Sequence, residues 1–383
     1  MTEAVDVVIV GGGAIGEAVA TFVLEDPAFD GTVAIIERDP TFRRASSALS
    51  AASIRQQFST QENIRMSRFS FGWLRDTVDV GLHESGYLYL APPDGVAALE
   101  ANHTIQQAEG VDATLLTPRE LAARFPWLSV EGVALASLGL SGEGWFDGYE
   151  LVQRLRTRAR DLGARLVTGE VVGIEMDGGR VVSVVLGDGA TIACGSLVNA
   201  AGPWAGAIAA MAGASLPVEA RRRSVFVFES QAAVVDCPLV IDTSGAWFRP
   251  EGGAFIAGIA PQREKDTADL PLEVDQREFE ARLWPALADR VPAFDAVRVT
   301  NAWAGYYEVN TFDHNAIIGL HPEISNMFFV NGFSGHGIQH APAAGRAIAE
   351  LLVHGRYQTL DLSIFAFDRI AAGRRVVERA IIG

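Results

Sequence analysis

Apolar residues run unbroken through Val7-Val8-Ile9-Val10, stop at Gly11-Gly12-Gly13-Ala14-Ile15-Gly16, and resume in Val33-Ala34-Ile35-Ile36 before Glu37. Fully apolar runs of four bounded by glycines predict buried strands, here separated by a tight turn and a helix. Further along, 61–80 reads as a helix with Ile64, Phe69, Phe71 and Leu74 as its apolar contacts, and Tyr87-Leu88-Tyr89-Leu90 as a short strand. Thr117-Pro118-Arg119-Glu120 is a capping box with proline at the first helical position. Asp147 is placed to cap a helix with Leu151, Val152, Leu155, Ala159 and Leu162 at helical spacing, stopped at Gly163.

From 164 to 199 the period changes to short β runs parted by Asp177-Gly178-Gly179 and Gly187-Asp188-Gly189, which are hairpin signals. The meander ends in the apolar strand Leu197-Val198-Asn199, which breaks at Ala200-Ala201-Gly202-Pro203-Trp204. Strands at 224–229 and 255–258 and a helix near 276–288 follow, outside any simple βαβ series. The chain then returns through Met327-Phe328-Phe329-Val330 to Asn331-Gly332-Phe333-Ser334-Gly335-His336-Gly337 and a long helix.

The pattern predicts an α/β fold: a Rossmann-like dinucleotide domain over 1–82, 146–216 and 304–383, and an inserted α+β substrate domain on an antiparallel sheet over 83–145 and 217–303. At 383 residues the chain exceeds what one core comfortably serves.

The opening glycines each carry a physical task. Gly11 permits the sharp turn, Gly13 lets backbone approach a pyrophosphate, and Gly16 lets the helix pack close to the strand. The helix N-terminus with Ala14 and Ile15 then offers free N–H groups to an anion, and Glu37 accepts from ribose hydroxyls. Glycines at 332, 335 and 337 leave a second helix entrance unobstructed, which suits another electronegative group or simply a sharp turn.

Charge narrows the partners. With 47 acidic against 31 basic side chains, the net charge of −16 argues against nucleic acid and anionic membrane surfaces. The N-terminus lacks a cationic leader and no apolar run reaches the roughly 20 residues of a membrane span, so a cytoplasmic protein is expected. Cys194 and Cys237 have no metal-ligand spacing, and Lys265 is the single lysine.

The fingerprint, the 199–204 segment, Trp303-Ala304-Gly305-Tyr306-Tyr307-Glu308 with Asp313-His314-Asn315, and Gly332 to Gly337 together resemble the D-amino acid oxidase superfamily of FAD enzymes. Within it the chain is most similar to the branch of sarcosine oxidase, dimethylglycine dehydrogenase and the FAD-dependent oxidoreductase domain-containing group linked to complex I assembly. Similarity to that last group is dense over 50–58, 217–229, 242–250, 303–311 and 361–370.

The resemblance implies a GR2-type fold and FAD, with the cofactor met by Gly11, Gly13, Ala14, Ile15, Gly16, Glu37 and Arg38. It further implies Ser46, Ser47 and Ala51 between phosphates and ring, and Val172 at the adenine. Ala200, Gly202, Trp204 and Gly305 should pack beside FAD, and Gly332, Gly335, His336, Gly337, Ile338 and Gln339 near the pyrimidine side. Sarcosine oxidases bond flavin to a cysteine near position 305, and dimethylglycine dehydrogenase uses an N-terminal histidine. This chain has neither residue there, so non-covalent FAD is expected.

By the same resemblance Arg55 holds a substrate carboxylate, Tyr307 lines the ring face, and Gln339 replaces the family's second carboxylate-binding lysine. A guanidinium suits that task because its fork gives two charge-assisted hydrogen bonds. The oxidases' lysine beside flavin N5 has no counterpart in Phe255-Ile256-Ala257-Gly258. The expected activity is therefore oxidation of a secondary amine or amino acid, by a dehydrogenase rather than an oxidase, passing electrons to an unidentified acceptor that could be a protein. A flavoprotein subunit or assembly factor with little turnover is the alternative reading. Among Arg221, Arg222 and Arg223, alternation sends Arg222 to the opposite face from its neighbours; one of the three can reach the pocket, with solvated charge as the default.

Overall fold

The computed structural model describes residues 3–231, 233–262, 265–268 and 270–379. Its first sheet follows the order 317–320, 327–331, 191–199, 3–10, 33–37 and 165–168, and the hairpin 171–186 hangs from the strand Thr191–Asn199. The strand Glu3–Val10 pairs in parallel with Thr191–Asn199 on one side and Val33–Glu37 on the other. Strands covered on both faces must be apolar throughout, which is why Val8 and Ile9 are fully buried and the runs do not alternate.

The helix Ala14–Glu25 follows the first turn and packs beside Gly337–His354, the long C-terminal helix. Ile9, Val19, Phe22, Ile35, Val330, Phe333 and Ile348 share one core there. Each such side chain contributes about 1.5–3 kcal/mol on burial.

The second sheet runs 297–310, 218–230, 254–259, 246–251, 239–241, 87–91, 135–139, 113–116, and all but one of its pairings are antiparallel. Every strand within 217–303 enters this sheet. Its last strand, Val297–Asn310, stays paired with Val218–Ser230 to residue 310, beyond the boundary expected at 304. A two-stranded ribbon, Ser53–Ile54 with Gly144–Trp145, bridges the 46–55 segment to the second sheet's side of the molecule.

Local signals were mostly realised. The capping box at Thr117 is complete, the Asp147 side chain accepts from the Glu150 N–H at 2.9 Å, and the helix expected over 61–80 spans Gln61–Thr77. The helix near 276–288 departs from expectation because a π-turn over Phe279–Leu283 divides it. Pro285 has no N–H for a regular bond back into that turn. Among the described residues no helix is long and apolar enough to cross a membrane.

Candidate active site

A long cavity begins at the first glycine turn and ends against the second sheet, lined successively by Gly11, Glu37, Ser47, Trp204, Gly305 and Tyr307. Gly11 sits at φ 106°, and a Cβ there would overlap the Ala200 carbonyl. A Cβ on Gly16 would overlap the Gly11 carbonyl, so the close helix–strand approach requires glycine.

The Gly12 N–H donates to Glu37 Oε2 at 2.9 Å and the Asp39 N–H to Oε1 at 2.8 Å. The carboxylate is thus fixed at the strand's end with lone pairs to spare. Ser47 Oγ accepts from the Ala14 N–H at 3.3 Å, and no side chain caps the helix from Gly13. Arg38 lies over the Trp204 ring at 3.7 Å, with Arg44 beyond at 5.6 Å. Arg38 Nη2, Ser46 Oγ and Glu308 Oε2 are buried without partners, and all three residues line the cavity.

These groups suit an adenine dinucleotide: a carboxylate to accept from ribose hydroxyls, and a helix N-terminus and guanidinium to donate to diphosphate. The narrow glycine turn leaves only Ser47 Oγ near a Cβ built on Gly13. FAD fits the residues present.

Ala14, Ile15, Ala51, Ala200, Gly202, Gly335, Gly337 and Ile338 also line the cavity, as do Gly13, Arg38, Ser46 and Ser47. Gly16, Val172, Gly332, His336 and Gln339 do not. Val172 is corrected by strand alternation: its side chain is 51 % exposed while that of Val171 is buried and faces the cavity. Gly16 is set back against the Gly11 carbonyl, and Gly332 against Asn310 and Val218.

Arg55, His336 and Gln339 form a layer beside the cavity. The Gln339 side-chain oxygen accepts from the Arg55 backbone N–H at 2.9 Å, which makes Gln339 a positioning residue and corrects its expected place as a substrate contact. Arg55 Nη2 donates to His336 Nε2 at 2.9 Å, and His336 Nδ1 donates to the Phe333 carbonyl at 2.8 Å. Burial and then the adjacent guanidinium push the imidazole down to about 3, so it is neutral with its proton on Nδ1.

Arg55 is 6 % exposed, and its guanidinium lies over Phe58 at 4.4 Å and Tyr89 at 5.7 Å. Its Nε has no partner, and the Tyr89 hydroxyl, which faces the guanidinium, has no acceptor for its own proton. Burial works against the charge, but Tyr89, Tyr87, Glu378 and Glu143 together hold Arg55 above its ordinary value. Neither residue lines a cavity, so this buried cation and phenol form a niche behind the cavity wall with donor capacity of the kind a carboxylate satisfies.

Four residues of this region escaped the sequence reading. Tyr89 was visible only as a strand position. Glu143 accepts from the Gln56 and Gln57 N–H groups at 2.5 and 3.0 Å and so fixes the chain just after Arg55. Burial raises it to about 7. The flanking glycines of Ser141-Gly142-Glu143-Gly144 were its sole signal. Arg223, against the solvated default, lines the cavity, with its guanidinium 5.0 Å from the Tyr307 ring and an ion pair to Asp266 at 2.8 Å. In the 262–266 loop, residues 263 and 264 lie outside the described set, and Lys265 does not line the cavity.

Glu308 is the fourth. Burial lifts its carboxyl to about 8, while the Gly332 and Phe333 N–H groups pull the other way. Between about pH 4.5 and 8 the folded chain therefore holds a proton the unfolded chain has released, so stability from this group is full below that window and declines as pH rises through it. Glu308→Gln is expected to lose that decline. Urea midpoints of the two proteins from pH 5 to 9 test this, and parallel curves would mean the carboxyl is ionised throughout.

The family model for FAD dependent oxidoreductases (DAO) matches residues 6–351. FAD-dependent oxidoreductase domain-containing protein 1 of Xenopus laevis is 41 % identical, over 99 % of this chain and 85 % of the relative. Glycine oxidase of Geobacillus kaustophilus is 28 % identical over 96 % of this chain and 98 % of its own. The L-proline dehydrogenase structure from P. horikoshii superposes with a TM-score of 0.88 at 27 % identity, covering 98 % of this chain and 100 % of that one.

Proposed function

Because this chain belongs to the DAO family of FAD-dependent oxidoreductases, we propose that it oxidises a carboxylated amine or amino acid at the carbon beside nitrogen, as a dehydrogenase with non-covalent FAD. The observation that carries this reading is the pair of unpartnered buried donors, Arg55 Nε and the Tyr89 hydroxyl, next to the turn whose Gly335 and Gly337 line the cavity.

The flavin, when bound, supplies the acceptor for a hydride equivalent. The protein's part is placement. Arg55 holds the substrate carboxylate through Nε, with Tyr89 donating beside it, while His336 fixes the far edge of the fork and Gln339 fixes the backbone. Neutral His336 adds no charge to repel an amine and leaves the guanidinium as the cation of the niche. Tyr307 packs against Gly335 and presents its ring at the cavity's far end. The burial around Arg55 excludes water from the bond that breaks.

Two features support the finer points. Neither cysteine nor histidine lines the cavity among the described residues, which supports a flavin held without a thioether or histidyl bond. Arg223, the cation beside Tyr307, is paired with Asp266, which weakens it as a stabiliser of the first product of oxygen reduction.

An anaerobic panel of N-methyl, N-alkyl and free amino acids mixed with the FAD-loaded protein is expected to bleach the visible flavin band with at least one carboxylated amine. Reoxidation in air is expected to be slow, and fast with an artificial acceptor dye. A band untouched by every amine sinks the proposed activity, and rapid stoichiometric peroxide sinks the dehydrogenase reading.

A further inference from the structure

A second cavity, of about 690 Å³, opens on the other side of the segment that carries Ser50 and Ala51, which line both cavities. Its volume lies in the range of small-molecule sites. Trp145, Trp303, His83 and Tyr149 supply aromatic walls, and Arg249 supplies a cation.

Arg249 is 4 % exposed yet has no buried carboxylate bonded to it among the described residues. Its Nη1 meets the Pro250 carbonyl and Glu251, whose side chain is 53 % exposed, and its Nη2 donates to the Ala51 carbonyl at 2.8 Å. Its Nε is buried without a partner. An ion pair to so exposed a carboxylate is screened by water and leaves the guanidinium open to a competing anion.

The position of Arg249 relative to Arg55 gives this cation its meaning. Ala51, which Arg249 grips, precedes Arg55 by four residues, so the chain separates the two anchoring points by at most about 14 Å. The ribbon sets Trp145 opposite Ser53, midway between them. Arg249 lies 5.1 Å over the Trp145 ring, Trp145 packs in one cluster with Tyr87 and Tyr89, and Arg55 lies over Tyr89. Tyr87 and Tyr89 are stacked at 6.2 Å. The Tyr87 hydroxyl feels both guanidiniums, although burial dominates and pushes it up to about 12. Two cations with free Nε donors thus flank one small aromatic wall.

We propose that Arg249 is a specificity-determining residue that binds a second carboxylate, so that the preferred substrate is an amine carrying two carboxylates, one held by Arg55 and the other by Arg249. This rests on the carboxylated-amine reading above. A monocarboxylate fills only the Arg55 end and leaves Arg249 with Glu251.

Binding to the FAD-loaded protein tests it without turnover. The probes are (methylthio)acetate, thiodiacetate and its longer homologue thiodipropionate, in which a thioether sulfur replaces the amine and blocks oxidation. Each is titrated against the visible flavin spectrum. At least one diacid is expected to bind about tenfold tighter than the monoacid, the scale of one net charge-assisted contact.

Arg249→Gln is expected to bring that ratio near one, and Glu251→Gln, which removes the competing carboxylate from the surface, to widen it about threefold. Equal affinities in the wild type, or a ratio that survives Arg249→Gln, overturn the proposal. Should Arg249→Gln lose its flavin, an unchanged ratio in Glu251→Gln overturns it instead. A spectrum indifferent to all three compounds would bring down the carboxylated-amine reading itself, and this proposal with it.

Discussion

Gly11→Ala is expected to purify without flavin and with a markedly lowered melting temperature. At φ 106° an alanine is strained by about 1–3 kcal/mol, and here its methyl group would also overlap the backbone of Ala200. Relief cannot come from a side-chain rotamer. The Gly11 N–H donates to the Ile36 carbonyl and the Ala200 N–H to the Val10 carbonyl, each at 2.9 Å, so moving either segment unpicks the central strand pairs. Together these effects place the loss at about 3–5 kcal/mol, the range kept for a few severe mechanisms. The same shift displaces the Gly12 N–H that fixes Glu37. FAD affinity should therefore fall by at least about a hundredfold, since both the ribose carboxylate and the helix entrance move. Calorimetry of the apoprotein and flavin titration measure the two losses separately. A yellow, wild-type-like Gly11→Ala protein would show that the turn relaxes in a way its packing does not suggest.

Arg55→Met is expected to split function from stability. Binding of carboxylated amines should weaken by about 2–4 kcal/mol, roughly 30- to 1000-fold, the scale of removing one partner of a buried charge pair. The melting temperature should change little, because the free protein keeps Arg55 desolvated with no carboxylate bonded to it among the described residues, while Tyr89, Tyr87, Glu378 and Glu143 offset that cost. Replacing such a cation by an apolar side chain of similar length removes that cost, offset by about 1 kcal/mol for the acceptor left bare on His336 Nε2. FAD should stay bound, since Arg55 does not line the cofactor cavity. Spectral titration with (methylthio)acetate and a thermal melt decide the matter. A large fall in melting temperature with carboxylate binding intact would make Arg55 a structural residue.

The consequence for the molecule is a division of labour between its two ends. The glycine turn uses two of its donors within the protein, Gly12 with Glu37 and Ala14 with Ser47. The niche at Arg55 keeps donors unused. Unsatisfied buried polar groups cost stability in the free protein, and they persist where a ligand supplies the missing partner.

What the sequence determined by itself was local. The first glycine turn, the capping box at Thr117, the Asp147 cap and the buried strands could be read because sterics and capping act within a few residues. The side of a strand a residue faces was less secure, and Val172 was assigned to the cavity that Val171 lines. Tertiary structure alone decided the chemistry-bearing contacts. His336 reaches Arg55 across 281 positions and Gln339 across 284, while Glu143 secures the chain after Arg55 from 87 away. No short-range rule reports such meetings, because they depend on how two sheets and the 46–55 segment pack against one another. The same packing brought Arg223 to the cavity and left Glu308 buried, although in the chain both read as ordinary charged residues on strands.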